Sequence, residues 1–128
     1  MEAKNFRVTN LIYNDRIVNA IIFIGFDSVQ LITPQGNNIT ARLELIKPIP
    51  LNKEWVEKFG GKTHEGTTYI SVPNLKAELH FEFFGSEVVT TLKSQFSDLI
   101  LDPIKYVHNL QNLFFALAND ELKYEKQK

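Results

Sequence analysis

The sequence predicts an α+β fold: two small antiparallel β meanders, a short connecting helix, and one longer C-terminal helix packed on the sheet. Three observations carry this. Short runs of alternating apolar and polar residues recur between turn-forming clusters through the first 47 residues and again from 67 to 92. One segment alone, 103–118, holds a long helical period, with Ile104, Val107, Leu110, Leu113, Phe114 and Leu117 three or four apart. The chain has 128 residues, which suits a single domain spanning 1–128 with one real core.

Composition narrows the class. Apolar residues make up 44% and charged residues 23%, ordinary globular usage that excludes disordered and fibrous chains. Fourteen Lys and Arg stand against 15 Asp and Glu, a net charge of -1 with the signs interspersed, so the basic stripe of a duplex-binding protein is missing. The absence of cysteine removes disulfides, thiolate metal sites and cysteine nucleophiles together. Met1–Asn5 opens directly into a strand-like pattern without an apolar signal core, and the apolar run from Ala20 to Phe26 is far short of the roughly 20 residues that span a bilayer. The expectation is a cytoplasmic protein that does not engage membrane.

Taken in order, Phe6 to Tyr13 and Arg16 to Gly25 read as strands joined by Asn14-Asp15, residues that tolerate the backbone angles of a tight hairpin. The run Ile17–Ile24 is apolar on both faces for much of its length, which predicts a central strand. Ser28 to Thr33 and Asn38 to Ile46 pair around Pro34-Gln35-Gly36-Asn37, and the alternation of Ile39, Ala41, Leu43 and Leu45 with polar residues leaves one face wet. Four short strands in so few residues fit either a twisted sheet or a partly closed barrel.

Pro48-Ile49-Pro50 enforces an extended segment, and Asn52 then caps a short helix within 52–60. Leu51 and Val56 sit where a hydrophobic staple would place them, Trp55 and Phe59 share the buried side, and Gly60-Gly61 supplies the left-handed stop. Lys62 to Gly66 reads as a polar loop. Thr67 to Val72, Lys76 to Phe84 and Glu87 to Leu92 read as a meander, with a hairpin turn at Phe84-Gly85-Ser86-Glu87. Ser94 to Leu101 fits a loop or a helical turn equally well. Asp102 as cap and Pro103 at the first helical position predict the start of the main helix, Ala118-Asn119-Asp120 ends or bends it, and 119–128 is a charged tail.

No motif spells out a reaction. The three histidines, His64, His80 and His108, lack the spacing that would set two ligands on one helical face, so neither metal nor cofactor is implied. Gly60-Gly61-Lys62-Thr63 follows a helix and lacks the upstream strand of a phosphate loop. No Gly-x-Ser-x-Gly elbow occurs. The local carboxylate pairs, Glu54 with Glu57 and Glu78 with Glu82 around His80, read as solvated. His108, Gln111, Asn112 and Phe115 share one strip of the main helix, a set that suits a planar polar ligand or the capping of neighbouring carbonyls. The adjacent pairs Phe83-Phe84 and Phe114-Phe115 cannot both turn inward, which makes Phe84 and Phe115 candidates for a second contact.

Two stretches carry a resemblance: Ile46–Gly60, reading IKPIPLNKEWVEKFG, and Lys105–Leu117, reading KYVHNLQNLFFAL. With the opening strands they resemble a family of small uncharacterised proteins of Bacteroidota and of their phages and mobile elements. The resemblance implies a phage or mobile-element setting and a role in host interaction, and it draws attention to Trp55, Tyr106, His108, Gln111 and Asn112. This chain departs from the family where the usual glycine-bearing helix exit reads Ala118-Asn119-Asp120.

The reading that follows is a non-enzymatic binding protein that engages a host or phage partner protein through His108, Gln111, Asn112, Phe115, Tyr106 and Arg42. A second reading is an anti-defence protein that sequesters a nucleotide messenger, with Arg7, Arg16 or Arg42 on its phosphates. A third is a small hydrolase acting through His80 with Glu78 or Glu82. Surplus aromatics are compatible with a homodimer.

Overall fold

The computed structural model describes residues 6–14, 17–25, 27–85, 87–95 and 97–122. The expected hairpin turn at Asp15, the strand start and phosphate contact at Arg16, the turn residue Ser86 and most of the charged tail lie outside these. The fold is α+β, with two five-stranded antiparallel sheets, a short helix and a longer one. The chain divides into two compact units: 1–50 with Tyr106–His108, and 51–105 with 109–128.

The first unit holds β1 (Leu11–Asn14), β2 (Ile17–Ile24), β3 (Ser28–Ile32), β4 (Asn38–Arg42) and β5 (Ile46–Lys47), in the order β4-β3-β2-β1-β5. The doubly apolar run is therefore the central strand, as its composition predicts. It is not buried on both sides: Ile21 is fully buried, while Ile22 and Phe23 face solvent. A register shift between Ile21 and Phe23 inserts one extra residue, and this bulge brings Ile24 back to the inner face opposite Val29. β2 pairs with β1 through its first half and with β3 through its second, the way a long bulged strand bends a meander toward a barrel. Among the described residues no ladder joins β4 to β5, so the curl is not closed by hydrogen bonds. Phe6, Ile12, Ile21, Val29, Leu31, Ala41 and Ile46 form the core.

Two strand boundaries are corrected. β1 begins at Leu11 rather than Phe6, because Arg7 to Asn10 form a turn in which the Asn10 carboxamide accepts the Arg7 amide at 2.6 Å and Thr9 takes a positive φ. β4 ends at Arg42, after which Leu43–Leu45 wind into a 3-10 turn that leaves Leu45 exposed.

The second unit starts with α1 (Lys53–Lys58). The Asn52 side chain accepts the Trp55 amide at 2.9 Å. At the other end the Gly60 amide reaches Glu57 O and the Gly61 amide reaches Val56 O, both at 3.0 Å, a Schellman closure with Gly60 at φ +91. Trp55, Val56 and Phe59 are buried, and the helix lies against β6 (Lys62–His64) and β7 (Thr67–Val72). The sheet continues with β8 (Ala77–Phe84), β9 (Glu87–Ser94) and β10 (Asp98–Leu101), in the order β10-β9-β8-β7-β6. β6 corrects the loop reading of Lys62 to Gly66, and β10 falls in the stretch Ser94 to Leu101, whose local pattern fits a loop or a helical turn. Both are edge strands, and each is built by pairing with its hairpin neighbour rather than by apolar alternation.

The longer helix, α2, spans Val107–Ala118. It begins four residues later than Asp102-Pro103 predict. The reason is competition: Tyr106 bridges to Pro50, the Val107 amide donates to Ile49 O and the Leu51 amide to Lys105 O, both at 2.8 Å, so the backbone at 105–107 is held extended before helix can form. The exit is at Asn119, which takes the left-handed conformation in place of glycine and donates its amide to Phe115 O at 2.9 Å.

Candidate functional site

The strip expected on the main helix separates by burial. His108 and Gln111 are buried, Asn112 is half-buried, and only Phe115 and Tyr106 are exposed, each at 38%. The His108 ring sits 4.8 Å from Phe6 and 6.0 Å from Tyr106 between ring centroids, the second pair stacked at 15°. Burial pushes its pKa below the ordinary value of 6.5, and its Nδ1 has no hydrogen-bond partner among the described residues. His108 therefore works as a neutral, packed ring. Gln111, Asn112 and Phe115 all have partners of their own. Arg42 is exposed at the end of β4 and pairs with Glu44 at 3.6 Å. The structure brings Tyr106 and His108 together and leaves Arg42 occupied by its neighbour.

A different surface collects groups that can act. Strand register in the second sheet aligns residues across it in rows. Tyr69 stands opposite His80, His80 opposite Thr91, and Thr91 opposite Ile100. This row lies on the outer face, since its neighbours Ile70, Leu79 and Phe81 are buried on the inner one. Tyr69 and His80 stack at 5.3 Å and 18°, and His80 Nε2 lies 3.1 Å from Glu78 Oε1. The partner of His80 is thus Glu78, two residues back on the same face, while Glu82 is exposed. A second row sets Ser71, Glu78, Lys93 and Asp98 side by side, and the first three of these help to line a shallow cavity of about 360 Å³.

Crossing these rows is a diagonal of exposed apolar side chains. Phe84 is paired with Glu87, so Val89 is its diagonal neighbour, and Ile100, paired with Thr91, is the diagonal neighbour of Val89. Phe84 is 60% exposed, Val89 41% and Ile100 76%. As the sequence requires, Phe84 and Phe115 are the more exposed members of their pairs, with Phe83 and Phe114 half-buried. A cleft of about 490 Å³ lies elsewhere in the second unit, lined by Phe59, Ile70, Asn74, Phe114 and Leu122 among others, with Asn74 Nδ2 donating to Leu117 O at 2.9 Å on its rim. None of His108, Gln111 or Asn112 lines it.

Chemically, the Glu78 carboxylate can hold the His80 ring in one orientation, and the Tyr69 face can pack beside it. The apolar diagonal can bury against another surface. Among the described residues no group of three or more His, Asp or Glu side chains could hold a metal ion. Val89 and Ile100 were not legible as site residues, because their neighbours are set by register, and Ile100 falls in a stretch whose local pattern fits loop and helix alike. Comparison with family models, with curated proteins and with solved structures gives no match.

Proposed function

We propose that this chain is a non-enzymatic binding protein, of the phage or mobile-element type its resemblance implies, that engages a partner protein in the host cytoplasm through the outer face of the second sheet. The observation that carries the reading is the diagonal of Phe84, Val89 and Ile100. Single exposed apolar residues are ordinary on a protein surface, but three in register on one sheet face form a patch, and burying such side chains is worth about 1.5–3 kcal/mol each. On the same face Glu87 stands opposite Phe84, Glu82 opposite Val89 and Thr91 opposite Ile100, polar neighbours of the kind that border a binding core. No helix among the described residues is long and apolar enough to cross a membrane.

The test is capture of a polypeptide from host-cell extract, followed by native mass spectrometry with a nucleotide panel. The wild type is expected to retain a discrete polypeptide, and a folded Phe84→Ser, Val89→Thr variant to lose it. Equal retention by both proteins would remove the face from the argument. A retained nucleotide that disappears in a folded His108→Ala, Gln111→Ala variant would overturn the reading in favour of messenger sequestration.

A further inference from the structure

We infer that β10 is the docking edge for an extended segment of the partner protein, carrying basic residues four positions apart around an apolar centre; this rests on the partner-binding reading above. β10 is the end strand of its sheet, so among the described residues one side of its backbone has no ladder partner. The direction of its free groups follows from the hairpin. The Ser94 amide donates to Ser97 O at 3.0 Å, and because antiparallel pairs alternate, Leu99 and Leu101 turn their backbone groups toward β9 while Asp98 and Ile100 turn theirs outward.

The other edges are guarded. β6 reads Lys-Thr-His and is exposed throughout, β4 carries Asn38, Thr40 and Arg42 outward, and β5 has only two residues. β10 has neither lysine nor proline nor bulge, and two of its four side chains, Leu99 and Ile100, are large, apolar and more than half exposed. On the inner face the row Ile70, Leu79, Leu92, Leu99 begins buried and ends 57% exposed. The apolar layer runs one strand further than the fold covers. An added strand would continue both faces at once, with main-chain bonds supplying affinity and side chains supplying choice.

Charge selects the occupant. Asp98 opens β10 and Asp102 follows its end, both exposed, with Leu99, Ile100 and Leu101 between them. A second copy is a poor match. Antiparallel self-pairing centred on Ile100 sets Asp98 against Asp102, and pairing centred on Leu99 sets Asp98 against Ile100. A segment with Lys or Arg at both ends meets two carboxylates instead.

The experiment uses the full chain, labelled with nitrogen-15, and two blocked heptapeptides: Ser-Lys-Val-Thr-Val-Lys-Ser and the same peptide with both lysines replaced by glutamate. The lysine peptide is expected to shift the amides of Asp98 and Ile100 and to bind at least tenfold more tightly than the glutamate peptide. A folded Asp98→Lys, Asp102→Lys variant is expected to reverse that preference. Unmoved Ile100 amide, equal binding of the two peptides, or concentration-dependent dimerisation through β10 would each overturn the inference. The same variant separates the two levels of argument. If it captures the host polypeptide as well as the wild type does, the edge falls and the partner-binding reading stands; if no polypeptide is captured by wild type, the broader reading falls by itself.

Discussion

His108 shows how one residue type can carry a misleading signal. An imidazole beside two amides suggests recognition, yet the ring is buried between Phe6 and Tyr106 with an unpaired Nδ1. Its folded pKa lies below 6.5. The unfolded chain therefore binds a proton that the native protein refuses, so the contribution of this residue is complete above pH 6.5 and is lost as pH falls below it, levelling once the folded pKa is passed. His108→Phe keeps a ring in the site and removes the unpaired nitrogen. Urea unfolding at pH 7.5 and 5.5 should show this variant equal to or more stable than wild type, with a smaller loss at the lower pH; an unchanged loss would mean that other groups set the acid sensitivity. Two neighbouring glycines make a second residue-scale contrast. At Gly60 an added Cβ meets nothing within 4 Å but the φ is +91, so Gly60→Ala should cost about 1–2 kcal/mol through backbone strain. At Gly61 the Cβ would lie 2.7 Å from both Val56 Cγ1 and Val56 O, so Gly61→Ala should cost about 1–3 kcal/mol through overpacking, read as a shift in the unfolding midpoint.

At the scale of elements, what was legible followed local chemistry. α1 was readable to within a residue because its cap, its staple positions and its glycine stop are all encoded beside it, and Asn52→Ala should cost about 1 kcal/mol in thermal unfolding. The central place of β2 was readable from its composition. The start of α2 was not, although Asp102 and Pro103 are good starting residues, because residues distant in sequence, Ile49 to Leu51, claim the backbone at 105–107. The same stretch is tied once more where the Ile104 amide donates to the Thr90 hydroxyl at 3.3 Å, in a fully buried position. Thr90→Val keeps the shape and removes that acceptor, and should destabilise by about 1–3 kcal/mol, with faster hydrogen exchange at the Ile104 amide. β10 was equally hidden. Its four residues become a strand through pairing with β9, and the site residue Ile100 became visible only with it.

On the scale of the whole molecule, the chain divides into two compact units, and the first is discontinuous in sequence, taking Tyr106–His108 from near the far end of the chain. Those residues give it the bridge of Tyr106 to Pro50, the hydrogen bond from Val107 to Ile49 O and the ring packed on Phe6. A fragment of residues 1–50 keeps all five strands of the first sheet yet lacks these, and it should give a poorly dispersed amide spectrum without cooperative unfolding. A sharp two-state transition in that fragment would show that the sheet suffices. The discontinuity also sets a timetable. As the chain leaves the ribosome at about 5–20 residues per second, the opening strands emerge early but wait for the whole of Leu51–Lys105 before their last pieces arrive. The half of the protein that is made first is thus finished late, and during that interval Phe6 and Ile49 are without the neighbours that cover them.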